Sequence, residues 1–425
     1  MTSKQYHEAY VWIWLPGETS PVVAGLLEAD NDLVRFNYGK SYLERLAESE
    51  KKSGPLPISI YEPELPLQSG DLPIPPGLKM HGIIRDAAPD AWGRRVIINK
   101  LSGRKGPNLD TADLSELTYL LESGSDRIGA LDFQQSPTHY EPRTAINVTI
   151  EELIESAERV EKGVKLTQEL DNALFHGSSI GGARPKALIT DDGNKYIAKF
   201  SSKSDIYSVV KAEFIAMRLA KLAGLNVANV HLARAANRDV ILVERFDREK
   251  VDGGWSRRSV VSALTLFGLD DMMARYASYE TLSEIIRHRF VEPKKTLKEL
   301  FMRLVFNVLS GNTDDHARNH AAFWNGKALS LTPAYDICAQ GRSGNEASQA
   351  MLISGNNNLS QLKSCLESAN NFLISEDEAN AIFDNTISAI QNNWDEVCEE
   401  AEVNDVDRQI LKQRQFLNPF SMIRK

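Results

Sequence analysis

The stretch 310-SGNTDDHARNHAAFWNGKALSLTPAYD-336 decides how this chain is read. Its first ten positions, Ser310 to Asn319, hold two aspartates, one histidine, one arginine and two asparagines. The segment before them is apolar: Leu297, Leu300, Phe301, Leu304, Val305, Val308 and Leu309 recur with the three-and-four spacing of a helix that buries one face. A core helix therefore delivers a polar loop. After the loop, Asn325-Gly326 stands between "AAFW" and "ALSL", the strongest short-range signal for a β-hairpin. A hairpin returns its two ends to one place, so Asn319 at one end is expected near Asp336, reached from the other end through "TPAY". Asp314 and Asn319 also have the D-x-x-x-x-N spacing of the protein-kinase catalytic loop, in which the Asp accepts the substrate hydroxyl proton and the Asn ligates magnesium. An amide oxygen and a carboxylate beside Asp314 suit one or two Mg²⁺ ions holding triphosphate oxygens.

Phosphoryl transfer also needs cations and backbone N–H groups for the phosphates, because the protein positions reactants and stabilises charge more than it does covalent chemistry. Working backward, 178-SSIGGARPK-186 is a glycine-containing turn ahead of "ALIT" and "YIAKF", two strands joined at "DDGNK". Gly181 and Gly182 would let the main chain approach phosphate, and Lys199 on the second strand is placed to reach it. The helix "VVKAEFIAMRLAKLAG" carries Glu213, a candidate ion-pair partner for Lys199, and ends at Gly224 as a C-cap. In "VERFDR", Glu244 and Phe246 could frame adenine through their backbone. Plainer readings exist for each group. The glycines match neither a P-loop nor a dinucleotide fingerprint, and Lys199 and Glu213 read equally well as solvated strand and helix residues. His316 and His320 sit four apart but have no third ligand at zinc spacing. Cys338 has no activating base in sight and reads as packing. The segment 338–358, rich in Gly, Ser and Asn, is expected to be mobile and to shape substrate access.

A chain of 425 residues is long enough for two or three domains. Residues 1–143 open with short strands, pass through the proline-heavy "YEPELPLQSGDLPIPPGL" and turn helical at "DAAPDAWGRRVIINKL"; a boundary falls in "FQQSPTHYEPRT". Residues 144–250 hold a small sheet with one helix, and 251–425 are mostly helical, including a capping-box spacing at Ser375 and Glu378. With 49 Lys and Arg against 58 Asp and Glu, a net charge of −9, there is no global basic field for nucleic acid, so DNA contact needs a local patch or a partner. Cys338, Cys365 and Cys398 form no CxxC pair, which disfavours a disulfide framework and a thiolate zinc site and fits a reducing cytoplasm. No apolar run reaches membrane-span length, so no membrane partner is expected.

Taken together, "SSIGGARPK", "IAKF", "ERFDR", "GNTDDHARN" and "LTPAYD" resemble the HipA serine/threonine kinases, toxins of bacterial toxin–antitoxin pairs. "LLEADNDLVRFNYGKSYL", "PLPISIYEPELPLQ" and "RDAAPDAWGRR" look like the β-rich subdomain that precedes the kinase core in that family. The resemblance implies an α+β fold: a two-lobed, protein-kinase-like core with an N-terminal β-rich subdomain (1–143), a small lobe with the ATP loop (144–250) and a helical catalytic lobe (251–425). It implies that Asp314 is the catalytic proton acceptor, that Asn319 and Asp336 bind Mg²⁺, and that ATP is contacted by three groups of residues. These are Gly181, Gly182, Ala183, Arg184, Pro185, Lys186 and Lys199; then Glu244, Arg245 and Phe246; then His316, Ala317, Arg318, Asn319, Tyr335 and Asp336. Ser179 matches the serine that family members autophosphorylate, and a phosphate there adds about two negative charges inside the ATP phosphate site, so loss of activity is expected. Arg318 stands where the family usually has lysine, a planar fork in place of a point charge. The implied partner is a small helix-turn-helix, HipB-like antitoxin that carries most of the contact with operator DNA. The implied substrate is a protein, aminoacyl-tRNA synthetases being those of the best-known members. A small-molecule kinase and a catalytically silent co-repressor stay open as alternatives.

Overall fold

The computed structural model describes residues 6–49, 56–102, 114–143, 150–161, 184–191, 193–201, 207–342 and 344–425. Apolar alternation builds the first sheet: in β3 (Leu33–Tyr38), Val34, Phe36 and Tyr38 face inward while their neighbours are half-exposed. Together with β1 (Glu8–Ile13), β2 (Val22–Asp30) and β4 (Leu131–Gln134) it forms a four-stranded antiparallel sheet in the order β3-β2-β1-β4. The prolines between 63 and 76 keep the chain irregular until the short helix Gly82–Asp86, whose first N–H groups are capped from a distance by the Glu64 carboxylate at 3.1 and 3.0 Å. The helix Ala91–Ser102 follows, with Asp90 as its N-cap.

The second sheet is the small lobe: β5 (Lys186–Asp191), β6 (Asn194–Phe200), β7 (Val230–Ala235) and β8 (Arg238–Glu244), ordered β5-β6-β8-β7. Its antiparallel register sets Lys186 directly opposite Lys199, so both lysines leave the same face. The helix Val209–Leu222, capped by Ser208, packs against β7 and β8 and buries Glu213 among its apolar residues. A two-stranded ribbon, β9 (Arg248–Val251) with β10 (Gly254–Arg257), leads out of the lobe.

In the large lobe the helix Pro293–Ser310 is the buried axis the sequence predicts, with Pro293 at its start and Gly311 at φ 71° closing it. A side chain at Gly311 would meet the Gln415 carbonyl oxygen at 2.9 Å, so the left-handed stop and the close approach both require glycine. The hairpin forms between β12 (Ala321–Trp324) and β13 (Leu329–Leu331), and β11 (Ser259–Ser262) joins it as a third strand. Its turn is the four-residue Asn325–Ala328, in which the Asn325 side chain accepts from the N–H groups of Lys327 and Ala328 at 3.0 and 2.9 Å. The helix Glu376–Glu400 begins with the reciprocal Ser375–Glu378 capping box. One apolar core runs from Val11 through Phe214 and Leu304 to Phe416, uniting all three regions. Among the described residues no helix is long and apolar enough to cross a membrane. The result is a mixed α+β protein with two lobes and an additional N-terminal sheet.

Candidate active site

The polar loop leaves its helix with neighbouring aspartates turned opposite ways. Asp314 opens to solvent, whereas Asp315 is buried and accepts hydrogen bonds from the Tyr279 hydroxyl and from His320 Nε2, the latter at 3.1 Å. Asn307 donates to the Tyr279 oxygen at 3.4 Å and Asn312 donates to Asn307 at 3.0 Å, so the loop is anchored to two helices. Burial alone would raise the Asp315 pKa, but His320 and the Tyr279 hydroxyl outweigh it and the carboxyl lies below its ordinary value. Asp314 goes the other way. Surrounding protein desolvates it and the Asp336 and Asp315 carboxylates repel its charge, with His316 opposing, so its pKa is raised, which makes it a better proton acceptor. Asn319 donates its amide to the Asp314 carbonyl at 3.2 Å, which fixes both ends of the D-x-x-x-x-N loop.

Asp336 lies just beyond the hairpin with φ 59°, a left-handed conformation that costs a non-glycine residue roughly 1–3 kcal/mol and persists only where surroundings hold it. Lys199 does the holding: its ammonium is ion-paired to Asp336 and to Glu213 Oε1, the second at 2.5 Å. The Lys199 charge, acting against burial, takes the Asp336 carboxyl down to about 2. Burial opposes the ammonium, but two carboxylates outweigh it and raise the Lys199 pKa. Glu213 itself is raised by burial despite Lys199, so ionised Asp336 is the stronger partner of the cation.

Of the remaining predicted residues, Ser179, Gly181, Gly182 and Ala183 lie outside the described residues. Arg184 is exposed, while Pro185 and Lys186 are buried at the root of β5. The Glu244–Phe246 segment is part of the exit from β8. The N–H groups of Glu244 and Arg245 already donate to Asn229 and Lys195 carbonyls, each at 2.9 Å. The Arg245 guanidinium is buried against Asp126 (3.0 Å), Asp247 (2.8 Å) and the Arg127 carbonyl (2.7 Å). It is a structural ion-pair residue, because a buried guanidinium must be paired where it sits. Phe246 makes an aromatic wall with Tyr335, 5.5 Å away, and Phe323, 5.8 Å away. Tyr335 donates to the Arg318 carbonyl at 2.7 Å, and the Arg318 guanidinium pairs with Asp271 at 2.6 Å. Ala317 is buried in the short turn Ala317–Asn319. His316 Nδ1 is buried without a hydrogen-bond partner among the described residues, an orphan that a bound ligand would satisfy.

Among the described residues no three His, Cys, Asp or Glu side chains cluster as a metal cage. A carboxylate and an amide oxygen, the groups that Asp336 and Asn319 carry, are donors of the kind that hold Mg²⁺, with phosphate and water completing the shell. Cys338, Cys365 and Cys398 are free and buried. The segment after Cys338 is tied down rather than loose: Ala350 donates to the Thr313 carbonyl and Leu352 to the Ala277 carbonyl, each at 3.0 Å, and Met351 and Ile353 are fully buried. Tyr279 and Asp90 escaped the sequence reading; a lone Tyr at a helix start and an Asp before a helix carry no signal of what lies across the fold.

The fold is that of a two-lobed, kinase-like α+β protein. Residues 178–394 match the HipA-like C-terminal domain, and the chain belongs to that family. It is 26% identical to the serine/threonine-protein kinase toxin HipA of Shewanella oneidensis, over 37% of this chain and 42% of the relative. It is 27% identical to a putative kinase of Haemophilus influenzae, over 38% of this chain and 52% of that protein. The chain thus spans about half or less of the curated relatives it matches. A chain of the solved Shewanella oneidensis complex of HipA, HipB and operator DNA superposes over 94% of both lengths with a TM-score of 0.66 at 19% identity, a likeness of fold.

Proposed function

We propose that this chain is an ATP- and Mg²⁺-dependent serine/threonine protein kinase, the toxin of a HipA–HipB-type pair. The observation that carries the reading is Lys199 clamped between Glu213 and Asp336, whose carboxylate in turn bears on a solvent-facing Asp314 of raised pKa. Lys199 is held ready for the α- and β-phosphates of ATP, and the Phe246–Tyr335 wall suits the base. Asn319 and Asp336 would hold Mg²⁺, which neutralises charge on the phosphate oxygens. Asp314 orients a protein hydroxyl and accepts its proton as the γ-phosphate moves in line onto the oxygen. An acidic chain of net charge −9 would meet operator DNA mainly through a basic HipB-like partner, as the solved relative with HipB and DNA suggests. An aminoacyl-tRNA synthetase as substrate and Ser179 as an autophosphorylation site belong to the same proposal.

The test is γ-labelled ATP with purified chain and cell lysate. One or a few discrete polypeptides should be labelled, and Asp314→Gln should lower transfer by at least about 10²-fold while leaving the thermal melt unchanged. Transfer that persists in the variant overturns the assignment of Asp314, and label on small molecules alone overturns the protein substrate.

A further inference from the structure

The link between the short helix Ala263–Leu266 and the helix Tyr279–Arg289 holds three apolar side chains out in water: Met272 is 83% exposed, Tyr276 55% and Met273 43%. The backbone that carries them is nonetheless well tied. Asp270 Oδ1 accepts the Met273 N–H at 2.7 Å, the turn Ala274–Tyr276 closes with the Tyr276 N–H donating to the Met273 carbonyl at 2.9 Å, and Leu269 and Ala274 pack onto the main core. Arg85 of the N-terminal subdomain donates to the Leu269 carbonyl at 2.7 Å, and its neighbour Asp86 accepts from the Ser262 N–H and hydroxyl, both at 2.7 Å. Both ends of the link lead to the loop of Asp314. At one end Asp271 pairs at 2.6 Å with Arg318, which lies between Asp314 and Asn319. At the other the Ala277 carbonyl accepts from Leu352 at 3.0 Å, and two residues before Leu352 the Ala350 N–H donates to the carbonyl of Thr313, next to Asp314.

We propose that Met272, Met273 and Tyr276 form a docking surface for the protein substrate, taking an apolar side chain that flanks the hydroxyl presented to Asp314. This deepens the kinase reading above and rests on it. Single apolar residues scattered over a surface are ordinary; three of them between positions 272 and 276, held out by a hydrogen-bonded turn, are a patch. Its size sets the kind of contact. Three side chains supply on the order of a few hundred Å², well short of the roughly 1,200 Å² that a stable interface buries, so the face suits a partner that arrives and leaves, as a substrate must, rather than a permanent subunit. The unbranched chains of the two methionines adapt to apolar partners of different shape. The continuity with the Asp314 loop on both sides, through Arg318 and Thr313, points to the chain that brings the phosphoacceptor.

The experiment follows initial rates of label transfer from γ-labelled ATP to the polypeptides of a cell lysate, catalysed by the full chain, against lysate concentration. Met272→Ser combined with Tyr276→Ser should lower the rate at low lysate about tenfold and recover toward wild type as lysate is raised, with the Kd of a fluorescent ATP analogue and the thermal melt unchanged, the mark of substrate binding lost without loss of chemistry. Met272→Leu combined with Tyr276→Phe keeps the apolar surface and should label at close to the wild-type rate. Serine variants that label as the wild type does overturn the proposal while the kinase reading stands; if they also pass from dimer to monomer, the face belongs to a second copy of the chain. An equal loss in the apolar pair overturns it too, since apolar character is then not what the substrate reads. Wild-type chain that binds the ATP analogue and labels no polypeptide overturns the protein-kinase reading first, and the docking surface with it. Where the serine pair melts early, Met272→Ser alone, at the most exposed of the three positions, decides: a lower rate at low lysate supports docking, and an unchanged rate contradicts it.

Discussion

At the residue scale, a one-position alternation separates two carboxylates of the same loop into different environments. Asp314 faces solvent with a raised pKa, and Asp315 is buried, hydrogen-bonded and lowered. In the metal-free protein Asp314 should titrate above the roughly 3.9 of an ordinary aspartate, seen as the carboxyl resonance lost in Asp314→Asn. A proton-accepting role then predicts activity that falls as pH falls through that value, and a flat rate down to the ordinary range would contradict it. Tyr279→Phe keeps the ring and removes the hydroxyl that anchors Asp315. Leaving that buried carboxylate short of a donor should cost about 1–3 kcal/mol and slow transfer more than it weakens ATP binding, measured as a kcat against KM split. Asp314, Asn319 and Asp336 were legible because a fixed spacing and a hairpin constrain them locally. Tyr279 was not, because it lies 36 positions away and meets Asp315 only through helix packing.

At the scale of elements, the "ERFDR" strand end proves to be a fastening between the lobe and the N-terminal subdomain. Arg245 and Arg248 both pair with Asp247 and with Asp126, which belongs to the N-terminal subdomain, and the Gly129 N–H also donates to Asp247 at 2.8 Å. Burial would raise the Asp247 pKa, but the two arginines bring it down to about 2. A carboxyl lowered on folding contributes stability that is present above its unfolded pKa and is lost as pH falls. Stability should therefore decline as pH drops from about 4 toward 2, and Asp247→Asn should flatten that decline. Removing Asp247 altogether, as Asp247→Ala, strands two buried guanidinium groups and should cost about 3–5 kcal/mol in denaturant unfolding. A loss below about 1 kcal/mol would show the network to be dispensable. The strands, hairpin and capping box were readable from alternation, Asn-Gly and Ser-x-x-Glu, because those signals are local. The network was not, because "SDR" and "FDR" look like solvated surface until the fold joins residues 122 positions apart.

At the scale of the molecule, three regions share one core, and the N-terminal subdomain touches both lobes. The division at 143 and 250 is thus one of sequence character, and we propose that the regions fold together. A chain beginning at 144 would expose the apolar surface and the buried arginines that the subdomain covers, so it should lose the cooperative thermal transition of the full chain; a sharp, unshifted transition would contradict this. The two-lobed plan was legible from the switch between short strands and long helices, whereas the grip of Arg85, Asp86 and Asp90 on the two lobes was not, since contacts between lobes leave no periodic trace.

The most direct measurement of the central claim is a crystal structure of the chain with Mg²⁺ and a non-hydrolysable ATP analogue. A cation held jointly by Asn319 Oδ1 and Asp336, Lys199 on the phosphates and the γ-phosphate turned toward Asp314 are the expected result. A nucleotide bound elsewhere, or a cation that touches neither side chain, would contradict it.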